Sequence, residues 1–314
     1  MEKINFGKTN LKVSRIGLGT LAFGHPSKGI QDKETIYDCL NFALDRGINL
    51  IDTAEEYSRG MTEKFIGEVL KERGDREDMV IVTKVSHNHL SYKNVIRAAN
   101  NSLERLQTNY IDLYLIHWPW AYSPISETAK AMDQLLAEGK IRYVGVSNYN
   151  NALVQELMDN LQNGQVIANE IEYNLIKRDV EKEMLPFLRK QKIVALTYYP
   201  LLSGFLTTNY DENAQFPEKD FRNFYELFKN KENFTLSKEL FETLKQIAKN
   251  HDVSPSEVAI NWLLKDDDII PIPGAKKRSH IESNIHATEW KLTKDEISQL
   301  SAMTDNLELN WNWW

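Results

Sequence analysis

The sequence predicts an α/β fold: a (β/α)8 TIM barrel with an N-terminal β-hairpin and extra helices before and after the eighth strand. Three observations carry that expectation. Short β-branched or apolar runs recur eight times along the 314 residues. The first seven begin roughly 30 residues apart, the size of one βαβ unit. Stretches with helical spacing lie between them, and such alternation implies a parallel sheet covered by helices. Eight strands is the number that closes a barrel. The rival, a doubly wound sheet, requires a strand–GxGxxG–helix unit, which the chain lacks.

Residues 2–13 read as a hairpin, and "RIGLG" (15–19) as the first barrel strand. The helix predicted over 33–46 puts Ile36, Leu40, Ala43 and Leu44 on one face and stops at Gly47. "NLIDTA" (49–54) follows. The next helix, 62–72, is expected to start on Thr62 as cap and to end at Gly74. "VIVTK" (80–84), "IDLYLIH" (111–117), "IRYVGVS" (141–147), "VIANEIEY" (166–173) and "KIVALTYYP" (192–200) are strands three to seven. Helical spacing fills 92–107, 126–138, 150–161 and 180–190. A longer gap then holds a polar, aromatic-bearing stretch, 207–236, and helices over 237–250 and 255–264, the latter opening on Pro255. "IIPIPGA" (269–275) is the eighth strand. No low-complexity linker divides the chain, so residues 1–314 read as one barrel domain.

Composition narrows the partners. The chain is 42% hydrophobic and 26% charged, an ordinary globular balance. No apolar run approaches the ~20 residues of a membrane helix, and "MEKINFGKTN" lacks a signal peptide's apolar core. The lone Cys39 excludes an internal disulfide and fits a reducing, cytoplasmic setting. A net charge of −7 does not favour nucleic acid. The expected partner is a small molecule, and the sequence assigns no oligomeric state.

In a barrel the C-terminal strand ends face the active site. Asp52 ends strand two, Lys84 strand three and His117 strand four, while Tyr57 sits on the loop after strand two. Each alone has an ordinary structural reading; their convergence on one rim points to chemistry. Lys84 can neutralise Asp52 and rest against the Tyr57 hydroxyl. A free tyrosine has a pKa near ~10, and a useful acid at neutral pH needs one nearer ~7. One close cation in a poorly solvated site is expected to supply most of that difference. His117 can share the same oxygen. One histidine and one carboxylate do not make a metal site.

"IDTAEEYSRG", "VIVTK", "DLYLIHWP", "VGVSNY", "YYPLLSG" and "PIPGAKKRSHIESN" together resemble the aldo-keto reductase family, in order and from about residue 2 to 305. The resemblance implies a barrel that reduces carbonyls with a nicotinamide cofactor, NADPH rather than NADH as first expectation, without metal. It implies an Asp–Tyr–Lys–His tetrad on Asp52, Tyr57, Lys84 and His117: Tyr57 the general acid, Lys84 lowering its pKa, Asp52 supporting Lys84, His117 orienting the carbonyl. Ser147 and Asn148 match the carboxamide-binding pair and Tyr198 the aromatic that stacks on nicotinamide. Pro200, Leu201, Ser203, Gly204 and Leu206 match the loop over the pyrophosphate. Gly274, Lys276 and Asn284 match the segment that grips the adenosine half, and Lys276, Lys277 and Arg278 form a basic patch suited to a phosphate. Three positions depart from the pattern. Glu170 and His280 stand where glutamine is usual, and Ser283 where many relatives have glutamate. Glu170 as a carboxylate accepts hydrogen bonds but cannot donate them.

Trp118 and Trp120 are expected as substrate walls, with loops 87–90, 118–124 and 207–236 around them. The terminal "NWNWW" has three tryptophans and no assignable role. Two alternatives stand beside carbonyl reduction. A Schiff-base aldolase on Lys84 would need that lysine free of a carboxylate. A dinucleotide-binding redox sensor or regulatory subunit would need slow turnover.

Overall fold

A computed structural model describes residues 1–27, 29 and 32–311. A two-stranded hairpin, β1 (Lys3–Asn5) and β2 (Lys12–Ser14), precedes eight parallel strands. These are β3 (Leu18–Gly19), β4 (Leu50–Asp52), β5 (Val80–Val85), β6 (Ile111–Ile116), β7 (Ile141–Ser147), β8 (Val166–Glu172), β9 (Val194–Tyr198) and β10 (Ile269–Pro271). They pair in chain order, and a parallel bridge between Gly19 and Gly274 brings the last strand to the first. The amides of Gly17 and Gly19 donate to the Pro271 and Pro273 carbonyls across that seam. A Cβ on Gly19 would lie 2.6 Å from the Ile272 carbonyl oxygen, so the seam closes only over a residue with no side chain. Below it the buried Arg15 guanidinium donates to the Leu264, Asp266 and Ile269 carbonyls.

Helices α1 (Lys33–Asp45), α2 (Met61–Arg73), α3 (Tyr92–Leu106), α4 (Ile125–Ala137), α5 (Asn151–Asn160) and α6 (Met184–Gln191) wrap the strands. Local chemistry sets their ends. Asp32 and Asn150 accept from the backbone amides of Thr35 and Leu153, and Gly47 and Gly74 turn left-handed. One expected cap is overturned. Thr62 lies inside α2 and its hydroxyl bonds the Phe23 carbonyl; the capping position is Gly60 (φ 84°), which offers no side chain. The stretch read only as polar and aromatic, 207–236, contains α7 (Glu226–Lys229) and α8 (Lys231–Leu236). Then come α9 (Lys238–His251) and α10 (Pro255–Leu263), with Ser254 capping ahead of Pro255. After β10 follow α11 (Arg278–His286) and α12 (Lys294–Thr304), the latter opened by a Thr293/Glu296 capping box.

Two apolar layers result. The outer one lies between strands and helices. The inner one fills the barrel with Leu50, Val80, Val82, Leu113, Leu115, Ala168, Leu196 and Ile270, and the hairpin's Phe6, Leu11 and Val13 plug its lower end. No described helix is long and apolar enough to cross a membrane. Of the terminal tryptophans, Trp311 lies under the Lys177 ammonium, 5.4 Å from the ring centre; residues 312–314 fall outside the described residues.

Candidate active site

Strand parity builds the site. Side chains alternate between faces, so the parity that sends Val80 and Val82 inward sends Lys84 inward one layer higher. Leu50 is followed by Asp52, Leu115 by His117, Ala168 by Glu170 and Leu196 by Tyr198 on the same rule. The upper layer of the barrel is therefore polar. Tyr57 enters from a 3-10 turn, Tyr57–Gly60, after β4.

Lys84 is fully buried. Its Nζ donates to Asp52 Oδ2 at 2.6 Å, to the Thr53 carbonyl at 2.9 Å and to the Tyr57 hydroxyl at 3.5 Å. A second carboxyl, Glu170 Oε2, stands 3.2 Å away. Burial alone would pull the Lys84 pKa down, but Asp52 and Glu170 reverse this and hold it above its ordinary value. Tyr57 departs from the expectation that Lys84 makes it a stronger acid. Burial pushes its phenol up; Lys84 pulls down, while Asp52 and Glu170 push up again. One carboxylate was expected beside the cation, and the fold brings two carboxyls there. Burial likewise pushes Glu170 well above the carboxylate range, with Asp52 adding to it and Lys84 opposing it.

His117 Nδ1 lies 2.9 Å from Glu56 Oε2, and its ring meets Tyr57 edge-on at 5.9 Å between centres. Glu56 also accepts from the Ser86 hydroxyl. The contact with His117 holds Glu56 down at about 2, against the cost of burial. Burial lowers the His117 pKa, Glu56 partly restores it and Lys84 opposes it, so a neutral ring prevails at neutral pH. Sequence reasoning missed Glu56. "EEY" does not say which glutamate turns inward, and the tight turn sends Glu55 elsewhere, to the Ser86 amide and His89.

A cleft of about 970 Å³ runs outward from these groups. Asp52, Tyr57, His117, Trp118, Ser147, Asn148, Glu170 and Tyr198 line its inner part. Asn148 (φ 61°) ties them together: its Nδ2 donates to Ser147 Oγ at 2.9 Å and to the His117 carbonyl at 3.2 Å, and its Oδ1 accepts from Tyr198 OH at 2.8 Å. Pro200, Leu201, Ser203, Gly204, Gly274, Lys276, His280, Ser283 and Asn284 line the outer part. Ser203 and Gly204 are both left-handed there (φ 58° and 101°).

Three expectations need correction. Leu206 is fully buried in the outer core and faces no cleft, because the left-handed turn points it inward. Trp120 packs at a tilt of 49° against His87, 4.8 Å between ring centres, and does not line the cleft; of the two, Trp118 does. The basic patch divides: Arg278 is exposed and pairs with Asp38 on α1, leaving Lys276 to line the cleft. The missing cation comes from the 207–236 segment. Arg222 lines the cleft with Tyr210 and Phe221, braced by Asp220 at 2.8 Å and lying 4.1 Å from the Phe216 ring centre. Burial and the neighbouring Arg222 charge lower the Lys276 pKa. No sequence signal marked Arg222: its braces are local, but Lys276, which it joins at the cleft, lies far along the chain.

Among the described residues no three His, Cys, Asp or Glu side chains gather as a metal site.

The model of the aldo/keto reductase family matches residues 15–305. The aldo-keto reductase YhdN of Bacillus subtilis is 34% identical, across 98% of this chain and 94% of that protein. The methylglyoxal reductase YeaE of Escherichia coli is 31% identical, across 93% and 91%. A crystal structure of an aldo-keto reductase from Klebsiella pneumoniae in complex with NADPH superposes with a TM-score of 0.80 at 27% identity, covering 98% and 99% of the two chains. The chain belongs to the aldo/keto reductase family.

Proposed function

We propose that this protein reduces aldehyde and ketone carbonyls to alcohols with NADPH, using NADH less well. The observation that carries the reading is the buried Lys84–Tyr57 contact at the floor of an open cleft. The cleft fits a dinucleotide. Tyr198 offers an aromatic face beside the Ser147–Asn148–Glu170 amide-sized polar patch, and Lys276 and Arg222 offer cations to phosphates. The NADPH-bound Klebsiella structure supports the cofactor, and YeaE points to methylglyoxal as the first substrate to test. A cytoplasmic setting accords with the single buried thiol.

When bound, the nicotinamide supplies the hydride. Tyr57 supplies the proton to the carbonyl oxygen as negative charge develops there. The Lys84 ammonium stabilises the phenolate left behind, and Asp52 keeps that ammonium charged and in place. His117, held at Nδ1 by Glu56, presents its other ring nitrogen to the same oxygen. Trp118 forms one wall of the substrate end. Asp52, 2.6 Å away, holds Lys84 as an ammonium, which disfavours the amine nucleophile of an aldolase.

Tyr57→Phe tests the reading. It is expected to bind NADPH normally and to reduce methylglyoxal at least ~100-fold more slowly, the scale of a lost general acid. Equal rates would remove Tyr57 from the chemistry. Lys276→Ala should weaken NADPH binding more than NADH binding, read by fluorescence titration; equal losses would free Lys276 of any role toward the additional phosphate.

A further inference from the structure

One cation stands between two carboxyls at the heart of the site. Among the described residues, Lys84 is the only cation in contact with Asp52 or Glu170, and all three side chains are buried. Around them stand Tyr57, His117 and Tyr198, and Glu172 further along β8. Lys177 answers Glu172 at 3.5 Å, so Glu172 makes no claim on Lys84. If both carboxyls ionised, the cluster would keep one uncompensated negative charge on side chains that are almost wholly buried, which is costly.

A second observation points the same way. Glu170 Oε2 is buried and accepts no hydrogen bond from any described residue. Hydrogen bonds from donors are what hold a buried carboxylate ionised, and here they are too few for two, so one of them carries a proton. The distances say which. Asp52 is 2.6 Å from the ammonium and Glu170 is 3.2 Å, so the carboxyl nearer the cation stays ionised.

We propose that Glu170 is a positioning residue held as a neutral carboxylic acid, so that Lys84 answers a single negative charge and keeps its field on Tyr57. A neutral acid carries one donor and one acceptor on a planar head, as a glutamine amide does. The departure at residue 170 noted in the sequence is then a replacement by shape and polarity, not by charge. Its ionisation would set a second negative charge beside Tyr57 and make the phenol a poorer acid.

Infrared difference spectroscopy of wild type against Glu170→Gln, at neutral pH without cofactor, reads the proton directly. The protonated-carboxyl band is expected in wild type and absent from the variant; an ionised-carboxylate difference instead overturns the proposal. Should Glu170→Gln fail to fold, Glu170→Asp moves the band without removing it, and an unmoved band overturns the proposal equally. The second arm rests on the proposed carbonyl reduction. With saturating cofactor, Glu170→Gln is expected to leave the pH dependence of carbonyl reduction between about pH 6 and 9 where wild type has it, because a residue that is neutral throughout adds no titration. A titration present in wild type and lost in Glu170→Gln would mean that Glu170 ionises in that range, and overturns the proposal. If neither protein binds a dinucleotide or reduces a carbonyl, the functional reading fails, and the infrared band still decides the proton.

Discussion

At the scale of residues, the site is governed by how many charges surround each group. Burial raises the Tyr57 pKa, and the nearby Lys84 cation, shared with the carboxyls beside it, only partly offsets this. His117 meets Glu56 at 2.9 Å, and that partner fixes which ring nitrogen faces away from the cleft. Glu56→Gln should therefore slow carbonyl reduction on the order of tenfold, the scale of a lost orienting partner for a functional histidine, with NADPH affinity unchanged. Steady-state rates and a binding titration check this. The same pair has a pH signature. Glu56 sits at about 2, below its ordinary 4.5, so its contribution to stability is fully present above 4.5 and is lost as pH falls toward 2. The carboxylate is 37% exposed, which makes the effect small. Urea midpoints of wild type and Glu56→Gln should converge between neutral pH and pH ~3; a constant gap would rule the pair out as a source of acid sensitivity.

At the scale of elements, the order of strands and helices was legible because period-2 and period-3.6 patterns are local. Strand ends were legible too, so Asp52, Lys84 and His117 could be placed on one rim. The cap of α2 was misread because Thr62 has two places to send its hydroxyl, and the Phe23 carbonyl, 39 residues earlier, wins over the helix's own amides. Contact between α2 and α3 sets another local rule aside. Gly67 in mid-helix normally costs about 1 kcal/mol against alanine. Here a Cβ would come within 2.5 Å of the Arg105 carbonyl oxygen and 2.6 Å of the Leu106 carbonyl carbon. Gly67→Ala is therefore expected to destabilise by roughly 1–3 kcal/mol, an overpacking cost, where propensity alone predicts a gain. Chemical denaturation gives the sign directly.

At the scale of the whole molecule, the barrel separates stability from chemistry by depth. The hairpin closes the lower end with the fully buried Phe6, among the inner residues at the strands' starts, while the polar layer lies at their other ends. Phe6→Ala should cost about 3–5 kcal/mol and lower the urea midpoint, yet leave turnover per folded molecule unchanged; a loss of turnover at full occupancy of the fold would mean that the two ends are coupled. By itself the sequence determined the strand–helix order, the polarity of the strand ends and four of the rim residues, since each follows from spacing a few residues wide. The tertiary structure decided what no local pattern holds. It turned Glu56 rather than Glu55 to His117, drew Arg278 away to Asp38 and brought Arg222 to Lys276. It also set Glu170 against Lys84. The physical reason is common to all four: charge acts through space, over distances of a few ångströms that the chain spans only after it has folded.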